Sequence, residues 1–149
     1  MKIELPERSA DHRVLFYGYD VGPEWYIEYT NTHRKDLKDY DDLAKISVGK
    51  QLLKAHTGIK GLALESALND SAAPAGVTIP GRPGEPRVPV LSIFSNEASS
   101  YRRRPSQEQF DRLVKIMGRE PRWWIDYEDP RSYEYEFRVI GNDVSWTSC

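Results

Sequence analysis

An α+β domain is the fold class this sequence predicts: a mostly antiparallel sheet of two aromatic hairpins plus a short strand, with two or three helices packed on one face. Three observations predict it. Two runs of aromatic and β-branched residues are each broken by turn residues, two stretches carry apolar residues at helical spacing, and the length of 149 residues suits one core. A single domain over 1–149 is therefore expected, interrupted by a Pro/Gly-rich loop at 71–89. Aromatic residues make up 11% of the chain, too many for a disordered solvating segment.

Residues 14–19 (VLFYGY) and 25–30 (WYIEYT) read as strands joined across Asp20-Val21-Gly22-Pro23, the first hairpin. From 36 to 55, Leu37, Tyr40, Ala44, Val48, Leu52 and Ala55 recur at steps of three and four, as on one face of a helix that Thr57-Gly58 ends. Gly49 sits in the middle of that helix at a cost of about 1 kcal/mol relative to Ala. The run GLALESAL at 61–68 reads as a second, short helix. Pro74, Pro80, Pro83, Pro86 and Pro89 then exclude a helix or a central strand and leave the long loop. Residues 90–94 form a short buried strand. Ser106 and Gln109 make a capping box, Phe110, Leu113, Val114 and Met117 fall at i, i+3, i+4 and i+7, and Gly118 stops this helix. The second hairpin joins 123–127 to 133–140 across 128–132.

Side chains alternate between the faces of a strand, so each run divides into a core side and an outer side. Tyr133, Tyr135, Phe137 and Val139 share one face with the apolar set Trp123, Ile125 and Tyr127. The other face carries Trp124, Asp126, Glu134 and Glu136, joined from the first hairpin by Tyr26 and Glu28. Because an antiparallel sheet covered by helices on one side can leave its other side wet, these six residues form the expected binding face. Tyr and Trp bury area at little rotamer cost, and carboxylates around them favour a basic partner.

Other chemistry is weakly represented. Ser47-Val48-Gly49-Lys50 fits the Ser-x-x-Lys pattern of acyl enzymes, but its companion motifs are absent. His12, His33 and His56 are far apart in sequence and the single cysteine is Cys149, so no metal site and no cofactor is expected. Arg82 and Arg87 in the glycine-rich loop offer a weak anion contact that matches no phosphate-loop spacing. Arg102-Arg103-Arg104 invites an RNA-binding reading, but 21 Lys and Arg against 23 Asp and Glu give no basic footprint, and nucleic acid is not the expected partner. These arginines are expected in a solvated turn or paired with Asp36, Asp39, Asp41 and Asp42. No apolar stretch reaches the ~20 residues that span a bilayer, and no secretory pattern opens the chain, so a cytoplasmic location is expected.

The expected function is that of a small, non-catalytic binding protein of inhibitor or immunity type, engaging a basic protein surface through the aromatic-acidic face, with homodimerisation as a further use of that face. The competing reading is a small-molecule-binding domain or small enzyme, with a pocket between the sheet and the 71–89 loop and Asp126 as general acid or base.

Overall fold

The computed structural model describes residues 3–6, 13–68 and 87–127. Four antiparallel strands form one sheet, β1 (Leu15–Asp20), β2 (Ala63–Leu68), β3 (Arg87–Ser95) and β4 (Arg122–Ile125), in the order β2-β3-β1-β4. Helices α1 (Pro23–His33), α2 (Asp42–Thr57), α3 (Ala98–Arg102) and α4 (Gln107–Met117) complete an α+β arrangement. The expected class is present, but the first expected hairpin is not formed. β1 pairs with β3 and β4, which are distant in sequence, and the partner expected for β4 at 133–140 lies outside the described residues.

Residues 25–30 are helical. Gly22 is the N-cap, Pro23 opens the first turn with φ already suited to a helix, and Glu24 meets the positive end of the helix dipole. Trp25, Tyr29 and His33 then stack at i, i+4 spacing, with ring centroids 4.8 and 4.3 Å apart. The opposite correction applies to 61–68, where β2 pairs with β3 along its whole length, from Ala63 opposite Ser92 to Leu68 opposite Arg87. Tertiary pairing overrides the helix propensity of Leu, Ala and Glu. Pro89 lies within β3, contrary to expectation. Its carbonyl accepts the Val21 N–H, so its backbone faces the β1 side just where β1 has ended, and no ladder donor is lost there.

In α2 the buried residues are Lys45, Gly49, Leu53 and Thr57, one position along from the expected stripe, and Tyr40 is exposed. Gly49 is where α1 comes closest: a Cβ there would stand 2.5 Å from the Tyr26 carbonyl oxygen. The Thr30 hydroxyl donates to the Lys45 carbonyl at 2.6 Å across the same contact. Lys45 is buried by its stem while its ammonium donates to the Lys38 carbonyl at 2.8 Å. The capping box of α4 and its Gly118 stop, at φ 75°, are as the sequence predicts.

Both faces of the sheet are buried. Leu15, Tyr17, Tyr19, Trp123 and Ile125 pack with Leu53, Phe110 and Leu113 from the helices. Val14, Phe16, Ala67, Val88, Val90 and Trp124 form a second apolar cluster on the other face. That face is enclosed because the sheet curls until its two outer strands meet. Ala67 of β2 bridges to Asp126 just beyond β4, and Tyr127 N–H donates to the Ser66 carbonyl at 2.9 Å. With an even number of alternating strands this seam is antiparallel, like every other pairing, and it brings the two edges of the sheet together at this end. The β1–β3 register shifts between Tyr17 and Gly18, a bulge of the kind that sharpens strand curvature.

Candidate functional site

The six residues expected on one wet face do not share one. Trp124 is 0% exposed, its indole N–H donating to the Gly18 carbonyl at 3.0 Å inside the second cluster. Asp126 is 5% exposed in the seam, where its N–H donates to the Val14 carbonyl and its own carbonyl accepts from Arg13. Tyr26 lies on α1 and is 2% exposed. Glu28 alone of the four that are described is exposed. Glu134 and Glu136 lie outside the described residues, as do Arg82 and most of the 71–89 loop. Arg87 opens β3, with its guanidinium 5.7 Å from the Tyr127 ring centroid.

Alternation along the strands is as expected; the solvent on the second face is not. An outward-facing Trp needs an open sheet, and closure at the seam removes that surface. Tyr26 is misplaced for a different reason, since on a helix it follows a period of 3.6 and shares a face with Thr30. Its hydroxyl is buried without a hydrogen-bond partner, and burial pushes its pKa well above the usual tyrosine value. An unpaired buried hydroxyl keeps its desolvation cost, so Tyr26→Phe is expected to leave stability unchanged or raise it by about 1 kcal/mol in urea denaturation.

Described residues line two clefts of opposite character. The first, about 300 Å³, runs along α1 between Trp25, Glu28, Tyr29 and Thr32 and is walled by Ile116 of α4. Trp25 and Tyr29 stack nearly parallel, at an interplanar angle of 14°. The Tyr29 hydroxyl is fixed against His56 Nδ1 at 2.6 Å, and His33 Nδ1 donates to the Tyr29 carbonyl at 2.9 Å, which locks that ring in place. Burial raises the Tyr29 pKa, so the phenol stays neutral at physiological pH. Aromatic and acidic groups therefore do meet at the surface, on a helix at i, i+3 and i+4 and not on the sheet. The signal was present in the sequence as Trp25, Glu28 and Tyr29, provided that Pro23-Glu24 is read as a helix start.

The second cleft, about 510 Å³, is lined by residues 58–61, Ile93, Ser100, residues 103–105 and Gln109. Among the described residues that line it, Lys60, Arg103 and Arg104 are the charged ones. Arg102 and Arg103 are exposed, and no described ion pair joins Arg102, Arg103 or Arg104 to the acidic run, whose Asp36 is held by Arg34 at 2.9 Å. The arginine run is visible in the sequence, but nothing there places Lys60 beside it. Among the described residues no group of three or more His, Cys, Asp or Glu is arranged to hold a metal ion, and no helix is long and apolar enough to cross a membrane. No family model, curated protein or solved structure matches this chain.

Proposed function

We propose that the chain is a non-catalytic binding protein of inhibitor or immunity type that engages a basic protein partner through the aromatic-acidic groove of α1. The observation that carries this reading is the stacked Trp25–Tyr29 pair with Glu28 beside it on an open cleft. A Lys or Arg side chain of the partner packs against the outer side of the Trp25–Tyr29 stack, a contact worth about 0.5–2 kcal/mol, while its charged head reaches the Glu28 carboxylate. The tyrosine is held from behind by His56, so little side-chain freedom is lost on binding. The competing small-molecule reading with Asp126 as acid or base is less favoured, because Asp126 sits in the seam and lines neither cleft.

Titration of the full chain with a short Lys/Arg-rich peptide, followed by tryptophan fluorescence and calorimetry, tests the assignment. Glu28→Lys and Trp25→Ala are each expected to weaken binding by about tenfold, and binding is expected to fall as salt rises. If both variants fold and bind the peptide as the parent does, the groove is not the recognition surface.

A further inference from the structure

The histidines lie far apart in the sequence, but the fold brings two of them together where α1 and α2 end. We infer that His33 and His56 bind a divalent transition-metal ion, each through Nε2. His33 is the last residue of α1, His56 lies in the last turn of α2, and their ring centroids are 5.0 Å apart. That spacing suits a shared metal. A zinc ion about 2.1 Å from a ring nitrogen lies about 3.2 Å from the ring centre, so two rings on one ion have centres about 5.2 Å apart at a tetrahedral angle and about 4.5 Å apart at a right angle. The observed separation falls between these two values.

Hydrogen bonds leave the same nitrogen of each ring for the ion. The Tyr29 carbonyl can only accept, so His33 Nδ1, 2.9 Å away, carries the ring hydrogen and Nε2 keeps its lone pair. His56 Nδ1 lies 2.6 Å from the Tyr29 hydroxyl, which can donate or accept; with a metal on Nε2, Nδ1 carries the hydrogen and donates to the phenol oxygen. One tyrosine thus orients both rings, and partners of this kind fix an imidazole ligand and raise its basicity. The negative ends of two helix dipoles meet at the pair and favour a cation there. Arg34, next to His33 in the chain, is held by Asp36 at 2.9 Å. Both histidines are exposed, so an ion reaches them without any opening of the fold. Among the described residues no third His, Cys, Asp or Glu joins them, and water completes the coordination of an ion that exchanges readily. Imidazole suits Zn²⁺, Cu²⁺ and Ni²⁺, whereas Mg²⁺ and Ca²⁺ require oxygen ligands. The site stands whether or not the groove of α1 takes a basic partner.

The test is a titration of the full ¹⁵N-labelled chain with zinc chloride at neutral pH, followed by calorimetry and by the ring-nitrogen chemical shifts of the histidines. One ion per chain is expected, with Kd below about 0.1 mM, and Nε2 of His33 and of His56 should shift together. Magnesium chloride at the same concentration should move neither. His33→Ala and His56→Ala are each expected to weaken zinc binding at least about tenfold, while His12→Ala and Cys149→Ser, which remove the remaining imidazole and the thiol, stay within about threefold. Should an alanine variant not fold, His33→Gln and His56→Gln serve for the same comparison. Absence of saturable binding, or a folded H33A/H56A variant with unchanged affinity, overturns the inference. So does loss of binding in Cys149→Ser, or one ion per two chains, because the metal would then sit on the thiol or bridge two copies.

Discussion

Trp124→Ala is expected to lower the free energy of unfolding by about 3–5 kcal/mol, the usual range for truncating a fully buried tryptophan. The indole is 0% exposed and fills the space enclosed by Val14, Phe16, Ala67, Val88 and Val90. Those residues come from β1, β2 and β3 or their immediate flanks, so they cannot collapse onto the void without changing the curvature of the sheet. A second loss adds to the cavity, since the Gly18 carbonyl gives up the indole N–H that bonds to it at 3.0 Å. Trp124→Phe separates the two contributions: it keeps most of the ring and removes the donor, and should cost about 1–2 kcal/mol. Urea denaturation monitored by far-UV circular dichroism measures both. A loss under about 1 kcal/mol for the alanine variant would mean that the second apolar cluster is not closed around this side chain.

Gly18→Ala should cost about 3 kcal/mol or more, at or beyond the upper end of what overpacking does. A Cβ on Gly18 would lie 1.9 Å from the carbonyl oxygen of Leu91 and 2.9 Å from its carbon. These are backbone atoms of the neighbouring strand, so no side-chain rotation relieves the clash. The β1–β3 pairing must open at the bulge, and the carbonyl that holds Trp124 moves with it. The measurement is again equilibrium denaturation, here combined with amide hydrogen exchange. Protection is expected to fall first in β1 and β3, and if exchange in these strands is unchanged the close approach has been absorbed elsewhere.

What could be read from the sequence depended on whether the deciding interactions were local. Helix α4 was legible down to its cap and stop because Ser106, Gln109 and Gly118 act within one turn of the backbone they satisfy. Helix α1 was misread because aromatic and β-branched residues suit either a pleated strand or a stacked i, i+4 ladder, and composition outweighed the helix-opening Pro23-Glu24. β2 reads as a helix because its partner lies beyond residues 69–86 and its own residues favour helices in isolation. The offset in the α2 stripe has a simple cause: Lys45 and Gly49 face α1, and neither counts as apolar in a periodicity argument.

For the site, the kinds of residue were legible and their arrangement was not. Aromatic and acidic groups do share a cleft, but through Trp25 and Tyr29 with Glu28, and Trp124 is interior. The fate of Trp124 turned on whether β2 reaches β4, a contact between the two outermost strands that no alternation pattern can report. Lys60 and Arg103 are brought to one cavity by the meeting of two loops, which is equally invisible in one dimension.

The bridge between Ala67 and Asp126 also governs how the molecule behaves in a crowd of its own copies. Where the two outer strands are joined, their amides and carbonyls are occupied and offer no template to a passing chain. Toward the start of β2 the described bonds between them end, and Leu64, 44% exposed, stands on that unzipped margin. Strand exchange and fibril growth under destabilising conditions would begin there, and a lysine at position 64 would be the economical safeguard.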